Sequence, residues 1–214
     1  MSNKIDAIPR RKDRWVCDED WMRSMLRYSL FCTVATISNG RAYLRPSAFY
    51  YDPDDHAIYI HGAHQGRSFD NAEENQNVTV CVYDVGAMRV HERAFEFFQE
   101  HAGVIAFGTA SKVTDNAKKH TVMRNTFAKH APHLKEGVDY QPASQEEIDE
   151  TTIVRIKIDV WSGKMKWTDD PERPRFRYDD ILGENRPQLP WYFDMSETEA
   201  LNAEWKGTRG KSEK

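Results

Sequence analysis

From residue 31 to residue 161 the chain alternates short apolar runs with turn-forming clusters, and the periods of those runs predict a β-rich fold with a few helices. The pattern begins as a helix. Trp21, Met22, Met25, Leu26 and Leu30 recur at three- and four-residue spacing behind Asp18, a residue type that caps helix starts. Residues 31–37 then read as a strand, and Ser38-Asn39-Gly40 is a hairpin signal of the kind that needs positive φ. Residues 41–51 return antiparallel, Asp52-Pro53-Asp54-Asp55 turns the chain, and residues 57–61 make the third strand. A polar helix over 68–76 leads to a fourth strand over 78–83, where Val78, Val80 and Val82 alternate with Thr79, Cys81 and Tyr83.

Residues 85–102 are long for a strand connection, and Ala94, Phe95, Phe97 and Phe98 predict an insertion near the functional site carrying a short helix with an aromatic face. The fifth strand, 103–113, contains Gly108 as a candidate bulge or close-approach point. A helix over 114–130 follows, with Val122, Met123 and Phe127 on one side, Asp115 near its start and Pro132 past its end. Residues 133–150 read as an acidic loop, and 152–161 as the sixth strand. Six antiparallel strands with helices in the longer connections predict a mainly β, α+β fold built on a small closed barrel.

Three regions follow from this reading. Residues 1–17 form a basic lead-in, 18–167 the barrel domain, and 168–214 an extended tail rich in Pro, Arg and Asp. Within the tail, Pro190-Trp191-Tyr192-Phe193 is apolar enough to dock, a second subunit being one partner. The charge balance, 34 acidic against 30 basic residues with net −4, gives no general drive toward nucleic acid or an anionic membrane. No apolar run approaches the ~20 residues of a membrane span, so the expected protein is soluble and cytoplasmic. Cys17, Cys32 and Cys81 lack the spacing of a disulfide framework or a zinc site.

The stretch from Arg41 to Asn77 carries the sharpest chemistry. Gly62, Gly66, Arg67 and Ser68 sit where a strand gives way to a polar helix, so unpaired backbone N–H groups and a guanidinium would gather where a phosphate is held. Read alone, Arg67 is a solvated arginine at a helix start, although a cation there opposes the helix dipole and favours an anion partner. Arg45 could equally pair with a carboxylate across the sheet. His61 and His64 lack a third ligand of suitable spacing, so no metal site is expected; His61 is a proton or hydrogen-bond donor candidate at a strand end. His91, His101, His120, His130 and His133 are expected to be solvated.

In order, CTVATISNGRAYLRPSAFYYD, IYIHGAHQGRS, NAEENQNVTVCV, GVIAFGTASKV and IVRIKIDVWSGKMKW resemble the flavin-binding split barrels related to pyridoxamine 5'-phosphate oxidase, most closely the nitroimidazole-reductase-like branch. The resemblance covers roughly Trp21 to Trp167 and implies a six-stranded antiparallel split barrel, a homodimer, and two FMN molecules gripped by both chains. It puts Arg45, Pro46, Ser47 and Ala48 beside the isoalloxazine ring, His61 and Gly62 under the ribityl chain, and Gly66, Arg67 and Ser68 at the phosphate. From the partner chain, a turn at Trp161-Ser162-Gly163-Lys164 and the following Met165-Lys166-Trp167 would close over the flavin. The implied activity is FMN-dependent transfer of electrons from a reduced nicotinamide or similar donor to a small acceptor such as a nitroaromatic. A non-catalytic flavin-nucleotide binder, a haem binder and a deazaflavin user are the alternatives. Two departures matter: a serine, Ser68, stands where these families often carry a second cation, and the segment DPERPRFRYDD does not reproduce the Arg-rich, His-containing motif of the true oxidases.

Overall fold

The computed structural model describes residues 7–63, 67–168 and 175–176. His64 and Gly66 of the expected phosphate loop lie outside the described residues, as do most of the tail and its Pro190-Trp191-Tyr192-Phe193 segment. The elements run β1 (Trp15–Val16), α1 (Glu19–Tyr28), β2 (Phe31–Ser38), β3 (Arg41–Ala48), β4 (Tyr50–Asp52), β5 (Ala57–Ala63) and α2 (Arg67–Glu74), then β6 (Asn77–Arg89), β7 (Phe98–Lys112), α3 (Asn116–His130), α4 (Gln145–Asp149) and β8 (Thr151–Lys166). All strand pairs described below are antiparallel. No helix among the described residues is long and apolar enough to cross a membrane.

The sheet follows the path β3-β2-β6-β7-β8-β5-β4, with β1 added beside β8. Its two end strands, β3 and β4, are halves of one stretch interrupted at Phe49. The expected closed barrel is therefore a split one: β3 pairs with β2, the chain breaks at fully buried Phe49, and β4 resumes on β5 with Tyr51 opposite Ile58. Covalent continuity joins the ends that ladder hydrogen bonds leave open. Lys129 braces the break, its Nζ 3.5 Å from the Phe49 ring centre and donating to the Leu26 carbonyl at 3.1 Å, so that α3, the end of α1 and the strand switch are tied at one ammonium.

Local sequence accounts for most of the elements. Asp18 caps α1 by accepting from the Trp21 N–H at 3.1 Å, and Met22 and Leu26 face inward. Asn39 and Gly40, at φ 50° and 71°, form the two-residue turn between β2 and β3 that right-handed strand twist favours. Gly108 marks a bulge against β8, and a Cβ there would fall 2.3 Å from the Lys157 carbonyl oxygen. The core is double. Met22, Leu26, Val34, Phe49, Ile58, Val80, Val82, Val104 and Ile156 fill the barrel, whereas Ala57, Tyr59, Val113, Val122, Met123, Ile148 and Ile153 lie beneath α3 and α4. β5 separates them, which is why Ala57-Ile58-Tyr59-Ile60 is apolar without alternation and buried on both faces.

Three expectations need correction. First, residues 85–102 are no helical insertion but the arms of a long hairpin, with β6 reaching Arg89, β7 starting at Phe98, and a single 3-10 turn at Ala94–Glu96. The hairpin tip is also remote from α2, about 40 Å along β6 at ~3.3 Å per residue. A buried ion pair overrides the aromatic spacing: Arg89 Nε donates to Glu100 Oε1 at 2.6 Å, Glu100 Oε2 accepts from the Ala87 N–H at 3.1 Å, and Arg89 Nη2 donates to the Thr168 carbonyl at 2.7 Å. Second, the acidic loop contains α4, whose start carries a capping box between Ser144 and Glu147. Third, the turn expected at Trp161-Ser162-Gly163-Lys164 is absent, since β8 continues to Lys166 along β7 and β1.

A two-stranded ribbon is marginal in water by itself. With the Glu100 side chain fully buried, Glu100→Ala leaves the Arg89 guanidinium buried without its carboxylate, and stability is expected to drop by about 3–5 kcal/mol. Urea unfolding measures this; a midpoint equal to wild type would remove the ion pair as the staple of the hairpin.

Candidate functional site

β3, β5 and the first turn of α2 meet at a junction of two arginines and two aromatic rings, called the cleft below. Along β3, Tyr43, Arg45 and Ser47 share one face. Ser47 is buried and its hydroxyl donates to the Ala48 carbonyl at 2.9 Å, a local structural bond. Arg45 is half-buried and reaches across the split: its Nη2 donates to the His61 carbonyl on β5 at 3.0 Å, and its guanidinium lies 4.9 Å from the Phe69 ring centre on α2. One residue pair further along, the relation is reversed. Arg67 of α2 lies 5.6 Å from the ring centre of Tyr43 on β3. Strand and helix thus exchange an arginine and an aromatic ring each.

Gly62 is what lets them approach. A Cβ at Gly62 would stand 2.9 Å from Phe69 Cε2 and 3.0 Å from Arg45 Nη2. Pro46 is exposed on β3, an end strand of the path, where its missing N–H costs the sheet little. Arg67 is exposed and makes no ion pair among the described residues, whereas Lys118 and Arg155 are paired with aspartates. The alternative reading of Arg45, a carboxylate partner across the sheet, gives way to a backbone carbonyl and a ring.

The structure brings Arg45, His61, Gly62 and Arg67 together, with Ser47 and Ala48 alongside. It does not bring Trp161, Lys164 or Lys166 to them within one chain. His61 pairs with Ile153 on β8, and Trp161 follows eight residues later, about 26 Å along the strand at ~3.3 Å per residue. Trp161 is packed at the barrel's other end, 4.7 Å from the His56 ring and 5.5 Å beneath the Arg23 guanidinium. Lys164 is exposed, and Lys166 lies 3.9 Å from the Phe98 ring centre.

His130, read from the sequence as solvated, belongs to the cleft's surroundings. It ends α3 half-buried, with Nε2 3.3 Å from the Phe49 carbonyl oxygen and its ring edge-on to Phe31. The signal was present: Val122, Thr126 and His130 recur every four residues, and the first two are buried. Burial pushes the His61 imidazole below its ordinary pKa, and the charges of Arg45 and His130 push it further the same way. His130 is lowered mainly by burial, and burial takes the Lys129 ammonium down to about 8. A site already holding Arg45 resists further positive charge, so His61 is neutral at pH 7.

Solved structures share this fold. The flavocytochrome Anf3 from Azotobacter vinelandii matches at TM-score 0.66 and 22% identity over 87% of this chain and 91% of its own. The FAD and heme binding protein from Mycobacterium smegmatis matches at 0.64 and 21% over 79% of each chain. A candidate 5-nitroimidazole antibiotic resistance protein from Bacteroides thetaiotaomicron matches at 0.59 and 17%, over 71% of this chain and 86% of that one. No curated protein matches the chain by sequence.

Because the unfolded chain protonates histidine near pH 6.5 and the folded one only below that, stability is full above about pH 6.5 and falls as pH drops through it. His61→Gln is expected to make the decline in urea midpoint between about pH 6.5 and 5 shallower; equal slopes in both proteins would dismiss His61 as a contributor. The segments that build the cleft, β3, β5 and α2, all fall within residues 18–165, the span matched by the family described as pyridoxamine 5'-phosphate oxidase, and the chain belongs to that family.

Proposed function

We propose that the cleft holds the FMN group of a flavin and that the protein is a flavin-dependent oxidoreductase. The observation that carries this reading is Arg67, an exposed guanidinium without an ion pair among the described residues, opening a helix beside the Arg45–His61–Gly62 junction. Cation, helix start and close backbone approach are what a ribityl phosphate requires. The similar structures, a flavocytochrome and an FAD and heme binding protein among them, support the same cofactor class.

The bound flavin would supply the redox chemistry, taking a hydride from a reduced nicotinamide or similar donor and passing electrons to a small acceptor, nitroaromatics being one class. The residues of this chain bind and orient it. Arg67 offers the phosphate a planar pair of donors, and β3 from Arg45 to Ala48 lines the ring side. Neutral His61 at the end of β5 can hold or pass a single proton near neutrality. Arg45, fixed on the His61 carbonyl, adds positive potential without being free to wander.

A second copy completes the proposal. The outer face of the sheet carries two aligned rows, Thr33, Cys81, Ile105 and Ser162, and Ala35, Thr79, Phe107 and Val160. Phe31, Ile37, Tyr83 and Ile105 are exposed on that face or at its edge. A four-strand surface with Phe31, Ile37, Tyr83 and Ile105 exposed among threonines fits an isologous dimer, and the pairing would bring Trp161, Lys164 and Lys166 of one chain toward the cleft of the other.

The absorbance spectrum of the purified protein, with mass identification of what denaturation releases, tests the reading. Flavin absorbance is expected, and Arg67→Ala should weaken FMN binding about tenfold or more, the scale of one hydrogen bond to a charged group. Release of no nucleotide, together with equal FMN affinity in wild type and variant, would overturn the site. A Soret band in place of flavin absorbance would move the assignment to haem.

A further inference from the structure

Where α1 passes β6, aromatic rings gather around a single carboxylate. Trp21, Met25 and Tyr28 recur at i, i+4 and i+7 along α1, beside the stripe that buries Met22 and Leu26. Together with Phe31 at the start of β2, and Tyr83 and Asp84 on β6, they line an open groove of about 520 Å3.

The walls of the groove are held from outside it. Trp21 seats on Gly163 of β8, where a Cβ would stand 2.9 Å from Cζ3. The Phe31 ring is edge-on to His130, with ring centres 6.0 Å apart. Tyr83 lies opposite Gly103 on β7, whose missing side chain leaves the ring uncovered there. Even so, Tyr28, Phe31 and Tyr83 keep 75%, 63% and 65% exposure, and a cluster of aromatic side chains left this open marks a binding surface.

The charges select the ligand. Asp84 is exposed, its Oδ1 accepts from the Val85 N–H at 2.8 Å, and it makes no ion pair among the described residues. None of the described residues lining the groove is Lys, Arg or His. A neutral apolar ligand would use the rings and leave the carboxylate idle, and an anion would be repelled by it. A methylated ammonium uses both, because its polarised methyl groups pack on the negative faces of the rings while its charge faces the carboxylate. A primary ammonium is a compact, strongly hydrated charge and has more water to give up on entering.

We infer that this groove binds a quaternary or N-methylated ammonium group, with Trp21, Tyr28, Phe31 and Tyr83 as its walls and Asp84 as the counter-charge. The inference goes beyond the flavin reading and uses neither the cleft nor a cofactor. Phe31 and Tyr83 also border the face offered above to a second copy, so the test is made on the full chain in its own oligomeric state.

Choline and dimethylbutanol, its uncharged carbon isostere, are the probes, titrated by calorimetry with the Trp21 indole N–H followed by NMR. Choline is expected to bind saturably, to shift that indole, and to bind about tenfold tighter than the isostere, the scale of a cation moved from water onto aromatic faces. Asp84→Asn should weaken choline about two- to fivefold, as for an exposed charge pair, and leave the isostere unchanged. Tyr83→Leu should remove most of the preference for choline, and Tyr83→Phe, which keeps the ring, should retain it. Equal affinity for the two probes would overturn the inference, since the groove would then be merely apolar. So would equal weakening of both by Asp84→Asn, or choline binding that leaves the Trp21 indole unmoved. Absence of saturable binding, the result if a second copy covers the groove, would overturn it as well.

Discussion

The hydrogen bond from Arg45 to the His61 carbonyl is the interaction on which the cleft depends. β3 and β5 stand at nearly opposite ends of the sheet path, and no strand ladder connects them. One guanidinium spans the gap, and the Phe69 ring covers it on the side of α2. Because the acceptor is a main-chain carbonyl, the contact constrains where β5 ends, and the helix that follows inherits that position. Gly62 is the condition for the arrangement, since any side chain there would displace the arginine or the ring.

The same split explains the division of labour between core and site. Phe49 breaks the strand that would otherwise close the barrel, and its burial under Lys129 makes the break a fixed joint. β4 and β5 then lie between two apolar cores, so the end of β5 is rigid at the point where polar chemistry begins. A site carried at the end of a doubly buried strand is held more tightly than one on a free loop. Desolvation at that point also keeps His61 neutral, leaving the arginines as the cleft's charges.

Most of the fold could be read from the sequence because its signals were local. The Asp18 and Asp115 caps, the Asn39-Gly40 turn, the Gly108 bulge and the strand over residues 57–61 each follow from side-chain chemistry within a few residues. The errors share a cause of the opposite kind. Residues 85–102 looked helical by aromatic spacing, yet Arg89 and Glu100, eleven positions apart, find each other across a ribbon. The turn at Trp161 to Lys164 came from the resemblance alone, and in this chain Gly163 lies in a strand where β1 and α1 crowd it: a Cβ there would stand 2.9 Å from Trp21 Cζ3. At the cleft, the sequence singled out Arg45, His61, Gly62 and Arg67 but not Tyr43, Phe69 or His130. Those three enter through packing between distant elements, which periodicity does not record. Only His130 left a trace, in its spacing from Val122 and Thr126.

The length of β8 sets the last constraint. Sixteen residues carry it from beneath the cleft to the barrel's other end, with Ile153 opposite His61 and Trp161 beside His56. Within one chain a strand holds its residues apart by ~3.3 Å per step, and no rearrangement short of breaking the β7–β8 ladder would bring Trp161 to His61. A part for Trp161, Lys164 or Lys166 in the chemistry of the cleft therefore requires a second chain, whose β8 would arrive from the opposite direction. The rows Thr33–Cys81–Ile105–Ser162 and Ala35–Thr79–Phe107–Val160 cross β2, β6, β7 and β8 in register. Within one chain the length of β8 keeps Trp161, Lys164 and Lys166 apart from the Arg45–His61–Gly62 junction, and the ladder to β7 fixes that separation.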